Sequence, residues 1–217
     1  MTDLGRDKCG GTAMVSRWVR SWDSRLLRPL LSVLSGIGVT PNMLTIGSLL
    51  CLVVAGVVVA QGHLLAADVL LLVGAIADGV DGELARQTDS MTSFGGFLDS
   101  ICDHCGDYAF SLGLIWFYLS SQAETEVILV VVALFGSMLG SQVRSRAGMI
   151  GLETRDVGMV TRFERMALWI IGIATAHMST ALWVLAVLNN LAALQRVAHV
   201  VKRASGRSAA PPIDVPH

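Results

Sequence analysis

Residues 77–109 read ADGVDGELARQTDSMTSFGGFLDSICDHCGDYA, and the long apolar runs on both sides make this the stretch on which the fold turns. Asp78, Asp81, Glu83, Asp99, Asp103 and Asp107 stand where a membrane span ordinarily carries no charge. The 217-residue chain is 53% hydrophobic and 15% charged, with a mean hydropathy of +0.62. Soluble domains are about a quarter charged, so the composition excludes an ordinary soluble domain and points to a polytopic membrane protein. A span takes about 20 mostly apolar residues. Six segments qualify: residues 43–60, 63–85, 94–119, 127–143, 167–178 with flanks, and 181–201. The expected fold class is therefore all-α, six transmembrane helices preceded by an amphipathic helix lying in the membrane interface. No cleavable signal is expected, because some forty residues of mixed pattern precede the first apolar run.

Charge sets the orientation. The 16 Lys and Arg residues fall in the N-terminal arm, the Asp-rich connection after the second span, the connection between spans four and five, or the C-terminal end, which includes Arg196. The connections around AQGH, SSQAETE and AHMST hold none. The positive-inside rule then places both termini and the Asp-rich connection on the cytosolic side, in the cytoplasmic membrane.

Three regions follow: an arm over 1–38, a membrane domain over 39–203 and a tail over 204–217. In the arm, Trp18, Trp22, Leu26, Leu27 and Leu30 alternate with Arg17, Arg20, Arg25 and Arg28, the pattern of an interfacial helix whose arginines snorkel to headgroups. The alternative is an amphipathic helix packed on the protein's own cytosolic face. Gly38 and Pro41 break the arm, and Thr40 or Asn42 caps the first span. The small, polar, Pro-rich tail is expected to be disordered. Cys102 and Cys105 form a single C-x-x-C without the second pair a zinc site needs, so they read as small apolar fillers, with His104 between them.

The carboxylates pair by helical spacing. Asp78 and Asp81 are i, i+3, while Asp99 and Asp103 are i, i+4, so each pair shares one face. Each Asp at a helix centre costs about 2.5–3.5 kcal/mol to insert, hence roughly 10 kcal/mol for four left uncompensated. Between Arg28 and Arg144 the only basic residue is Arg86, so divalent cations are the expected compensation, and an all-oxygen ligand set suits Mg2+, Mn2+ or Ca2+. The bland alternative is a solvated helix end. Gly82 and Ala85 leave room beside the Asp78–Asp81 face, with Gly95 and Gly96 opposite, and Arg86 stands one turn from Gly82 as an anion partner. Together these features point to a metal-bound phosphate ester.

The pattern Asp78-x2-Asp81-Gly82-x2-Ala85-Arg86-x8-Gly95-x3-Asp99-x3-Asp103 resembles the signature of the CDP-alcohol phosphotransferase (CDP-alcohol phosphatidyltransferase) family at all eight defined positions over 26 residues. The stretches GVTPNMLT and SQVRSRAGMIG…TRFERM extend the resemblance toward phosphatidylinositol-phosphate synthases. The resemblance implies a six-helix membrane fold, usually a homodimer, that transfers a phosphatidyl group from CDP-diacylglycerol to an alcohol and releases CMP. It implies Asp78, Asp81, Asp99 and Asp103 as ligands of two divalent cations, Mg2+ or Mn2+, with Asp103 also the general base. It puts Asn42, Thr45, Gly82, Ala85, Arg86 and Thr92 around the CDP-lipid, and Arg144, Arg165 and Arg196 on the phosphate of an acceptor such as inositol 1-phosphate. Gln142, Gly148 and Phe163 depart from the usual Tyr, Glu and Pro, and His104 from Arg, which bears on the acceptor rather than the reaction. Asp107 extends the Asp99–Asp103 ladder and reads as a hydrogen-bond partner of the site rather than a ligand. Glycerol 3-phosphate is the second acceptor, ahead of serine or choline, and no nucleic acid is expected as a partner. A carboxylate-based cation transporter would favour midplane carboxylates and repeats, which this chain lacks, and an inactive scaffold is at odds with the intact motif.

Overall fold

The computed structural model describes residues 31–152 and 161–207. The Trp- and Arg-bearing part of the arm, the connection at 153–160 and the tail beyond 207 lie outside the described residues, and with them the expected interfacial helix and disordered tail. Among the described residues the fold is entirely helical. Six helices follow in order: α1 Pro41–Ala60, α2 Leu64–Gln87, α3 Ser93–Ser120, α4 Glu124–Met149, α5 Arg162–Ala174 and α6 Met178–Arg207. The last runs past the expected boundary at 203, since Lys202 and Arg203 near a helix C-terminus sit well with its dipole.

The helix starts are written locally. Thr40 caps α1 by accepting from the Met43 amide, with Pro41 at the first helical position, where a missing N–H costs nothing. Thr92 caps α3 through the Gly95 amide at 3.0 Å. A capping box, Thr161 with Glu164, starts α5. That box places the fifth helix several residues earlier than the apolar run at 167–178, and α5 closes at Ala174 before a turn in which Ala176 takes φ 57°.

Packing closes a ring. α1 lies against α2 and α3, α3 against α4, α4 against α6, α6 against α5, and α5 against α2. Close approach within it depends on small residues. A Cβ added at Gly113 would lie 2.0 Å from the Gly56 carbonyl oxygen, so α1 and α3 touch backbone to backbone. The buried Leu52 side chain fills the space that Cβ atoms at Gly74 and Gly106 would occupy. Between α4 and α6, the Asn189 and Asn190 side-chain amides donate to the Ala133 and Val132 carbonyls, at 3.0 and 2.9 Å. Before α1, residues 31–36 are helical, and Leu31 is buried against Val80 and Leu84 of α2.

The outside of the ring is apolar. Val57, Val69, Leu72, Ile76, Leu112, Trp116, Ile128, Phe135, Trp183 and Leu194 are all exposed, the reverse of a soluble protein and the expected surface for a helix bundle in lipid. Among the described residues three helices, α1, α4 and α6, are long and apolar enough to cross a membrane, where the hydropathy pattern predicts six. α2 and α3 have the length, 24 and 28 residues, but the carboxylates that build the site interrupt their apolar runs. With 13 residues, α5 rises only about 20 Å, short of a hydrocarbon core of about 30 Å.

Candidate active site

The C-terminus of α2 and the N-termini of α3 and α5 meet at one end of the ring, together with the basic C-terminal ends of α4 and α6. Asp78, Asp99 and Asp103 each offer a carboxylate oxygen, and these three atoms lie within 4.8 Å of one another. The helical spacing puts Asp99 and Asp103 one turn apart on α3, and the 88–92 turn folds α3 back so that their face meets Asp78. Within this cluster Asp78 Oδ1 and Asp103 Oδ1 are buried and accept no aligned hydrogen bond among the described residues. One cationic nitrogen, Arg162 Nη1, faces both oxygens, which leaves three converging carboxylates short of positive charge, and an all-oxygen set of this kind fits a hard divalent metal. The site thus fits the expected metal.

Asp81 stands apart from that trio. It is buried, and its Oδ2 accepts from the Thr45 hydroxyl at 2.6 Å, a bond from α1 to α2. Thr45, expected beside the CDP-lipid, is itself buried and engaged with this carboxylate. Asn42 lies near the N-terminus of α3, its Oδ1 3.4 Å from where a Gly95 Cβ would be. Thr92 is spent on the α3 cap. At Gly82 and Gly96 an added Cβ would meet nothing within 4 Å, so both helices present open backbone beside the carboxylates, while Ala85 is half-buried. Arg86 is exposed and pairs with Glu83, its Nη2 2.8 Å from Oε2.

The basic residues converge from three helices. Arg165 Nη2 donates to Asp107 Oδ2 at 2.5 Å, giving Asp107 the role of an arginine's hydrogen-bond partner. Arg144 and Arg165 lie close enough to Arg196 for their like charges to act on it, and the Arg196 guanidinium covers Gly140, 2.6 Å from where a Cβ would stand. Arg144 is exposed, and Arg196 is half-buried. Such a gathering of guanidinium groups suits an oxyanion. Inward of it, Asp107, Ser111, Ser137, Arg165 and Asn189 line a pocket to which all six helices contribute, with Leu52 and Leu71 closing it.

Two features are not visible in the sequence pattern. Arg162, which opens the fifth span among the arginines that a compact bundle can bring beside the Asp site, goes further and reaches into the acidic cluster, where its Nη1 pairs with Asp78 Oδ1 and, at 2.5 Å, with Asp103 Oδ1. The expectation that Arg86 alone is at hand to offset the carboxylates is corrected accordingly: α5 brings a base from far along the chain. Its one signal in the sequence is a cation in the first turn of a helix, against the dipole. The second feature is His104, whose Nδ1–H donates to the Ser100 carbonyl while Nε2 meets the Ser141 hydroxyl at 2.7 Å, tying α3 to α4. Phe163 packs over α2 beside Gly79, adjacent to Asp78.

Comparison with known proteins finds relatives over most of the chain. The family model of CDP-alcohol phosphatidyltransferases matches residues 38–202. An archaetidylinositol phosphate synthase of Pyrococcus horikoshii is 34% identical over 78% of this chain and 88% of its own length. A phosphatidylinositol phosphate synthase of Mycobacteroides abscessus is 31% identical over 84% of this chain and 86% of its own. The crystal structure of the Mycobacterium tuberculosis phosphatidylinositol phosphate synthase with CDP-DAG bound superposes with a TM-score of 0.75 at 26% identity, covering 89% of this chain and 99% of that one. The same synthase in complex with manganese and citrate gives a TM-score of 0.76 at 28% identity, over 87% and 93% of the two chains.

Proposed function

The chain belongs to the CDP-alcohol phosphatidyltransferase family, and from that premise we propose that it transfers the phosphatidyl group of CDP-diacylglycerol to a phosphorylated polyol, inositol 1-phosphate first, releasing CMP. Membership in an enzyme family removes the transporter and scaffold readings. The observation that carries the acceptor is the placing of Arg165, anchored on Asp107, and of Arg144 and Arg196 beside it, next to the carboxylate cluster. A neutral alcohol has no use for three guanidinium groups. The relatives named for inositol phosphate products support the same choice.

In this reading Asp78, Asp81, Asp99 and Asp103 hold two divalent cations, Mg2+ or Mn2+, the solved synthase with manganese supporting the metal type. Bound there, the cations supply charge stabilisation to the pyrophosphate being cleaved. Asp103 takes the proton from the attacking hydroxyl, since it lies on the face of α3 one turn from Asp107 and its Arg165 partner, so the acceptor's phosphate and hydroxyl fall to neighbouring groups. Gly82 and Gly96 leave the backbone open for the nucleotide, and Asn42, Thr45, Ala85, Arg86 and Thr92 surround it. Thr45 acts through Asp81, whose carboxylate it orients. In this account the chain passes the cytoplasmic membrane six times, the short α5 making its pass together with flanking residues, with the catalytic end cytosolic, and two chains form a homodimer. The basic residues of α2, α4, α5 and α6 gather at the catalytic end, as the positive-inside rule requires of the cytosolic side.

The test is acceptor competition. CMP release from CDP-diacylglycerol should be fastest with inositol 1-phosphate, with glycerol 3-phosphate second. A faster reaction with inositol, serine or choline would overturn the acceptor assignment.

A further inference from the structure

Arg162 poses a question that the family's reaction does not answer. It occupies the first position of α5, fixed there by the Thr161–Glu164 capping box, and a cation in the first turn opposes the helix dipole. Its side chain is largely buried, 16% exposed, and its Nη1 faces Asp78 and Asp103, two of the four carboxylates proposed to hold the metals. A purely structural ion pair at this depth needs hydrogen bonds to repay the lost hydration. Here a single nitrogen, Arg162 Nη1, is shared between Asp78 Oδ1 and Asp103 Oδ1, while Nε finds no partner among the described residues. One guanidinium nitrogen divided between two buried carboxylates compensates both incompletely, which suits a counter-ion that a stronger cation displaces. A divalent cation bound by the same oxygens would stand within a few ångströms of the guanidinium, and like charges at that separation in a partly dry site repel strongly.

We propose that Arg162 is a mobile counter-ion of the catalytic site: it neutralises Asp78 and Asp103 before the cation enters, then turns to the phosphates of the CDP-lipid, so that metal and CDP-lipid bind cooperatively through it. The open backbone at Gly82 and Gly96 gives the lipid's pyrophosphate room beside these carboxylates, within reach of a guanidinium that leaves them. A bidentate guanidinium suits a phosphate as well as a carboxylate, so the exchange keeps the charge paired at each stage. This inference rests on the reading of the site as a metal-dependent phosphatidyltransferase and adds a residue and an order of events to it.

The experiment measures Mn2+ binding by the full-length protein in detergent, read from the free Mn2+ paramagnetic resonance signal, with and without CDP-diacylglycerol and no acceptor. The unsubstituted protein should bind Mn2+ weakly alone and about 5- to 150-fold more tightly with the CDP-lipid, the range of linked sites. Arg162→Gln should bind Mn2+ alone about tenfold or more tightly, with the coupling to CDP-lipid reduced to a few-fold. The sign is decisive, because a structural arginine, once removed, loosens the carboxylates and weakens the metal. Unchanged or weaker Mn2+ binding by Arg162→Gln overturns the proposal while leaving the metal-dependent reading intact. No Mn2+ binding by the unsubstituted protein overturns both. Phenylglyoxal labelling of the unsubstituted protein, mapped by mass spectrometry, keeps the test open if the variant does not fold. Arg162 should become more reactive when Mn2+ is added and less so when CDP-diacylglycerol follows, and labelling indifferent to Mn2+ would overturn the exchange.

Discussion

Asp107 of α3 and Arg165 of α5, 58 residues apart in the chain, meet inside the bundle through a hydrogen bond of 2.5 Å from Nη2 to Oδ2. Asp107 is one helical turn, about 6 Å along the axis, from Asp103, so the pair holds the guanidinium proposed to bind the acceptor's phosphate near the proposed base. Asp107→Asn keeps the shape of the side chain and removes its charge. A hydrogen bond to a charged group contributes about 1.5–3 kcal/mol, so kcat/KM for the phosphorylated acceptor should fall about 10- to 100-fold. The KM for the acceptor should rise while CDP-lipid binding stays the same. Loss of CDP-lipid binding instead would place Asp107 in the nucleotide site.

A second prediction concerns Thr45 and Asp81. Thr45→Val leaves a buried carboxylate without the donor now 2.6 Å away, which should cost about 1–3 kcal/mol in stability and weaken CDP-lipid binding. Thr45→Ser should restore both. Thermal unfolding in detergent and nucleotide titration read the two effects, and a Val variant as stable as the parent would show that the bond is dispensable.

The carboxylates should also differ in role. Asp103→Asn removes the base but keeps oxygen ligation, so turnover should drop about 10²- to 10⁴-fold with CDP-lipid binding largely retained. Asp81→Asn should weaken metal and nucleotide binding together. Equal, mild losses from both substitutions would contradict the division.

In the scaffold, Gly113→Ala would force a Cβ to 2.0 Å from the Gly56 carbonyl oxygen, and the α1–α3 contact cannot yield without moving backbone. A loss of about 1–3 kcal/mol is expected, against roughly 0.5 kcal/mol or less for Gly47→Ala, where an added Cβ meets nothing within 4 Å. Comparable melting temperatures for the two variants would mean the helices are less closely packed than described.

The carboxylate site is largely legible in the amino-acid sequence. Asp78, Asp99 and Asp103 declare themselves because helical spacing fixes which side chains share a face, and a membrane makes unpaired carboxylates too costly to be accidental. The caps at Thr40 and Thr92 are equally local. What the sequence hides depends on residues distant in the chain. Arg162 reaches the carboxylates only because α5 packs on α2, and Thr45 reaches Asp81 only because α1 does. Periodicity says which face a residue occupies, not which helix lies against it. The start of α5 departs from the apolar run for a related reason: that run marks the part of the helix that meets lipid or core, while the capping box at Thr161 begins it in a charged segment.

The central claim, transfer of a phosphatidyl group at a carboxylate-held metal site, is tested most directly by CMP release from CDP-diacylglycerol and inositol 1-phosphate by the purified protein, before and after exhaustive chelation. The account predicts CMP and phosphorylated phosphatidylinositol in equal amounts, no product after chelation, and recovery when Mn2+ or Mg2+ is restored. Full activity in the chelated, dialysed protein would contradict it.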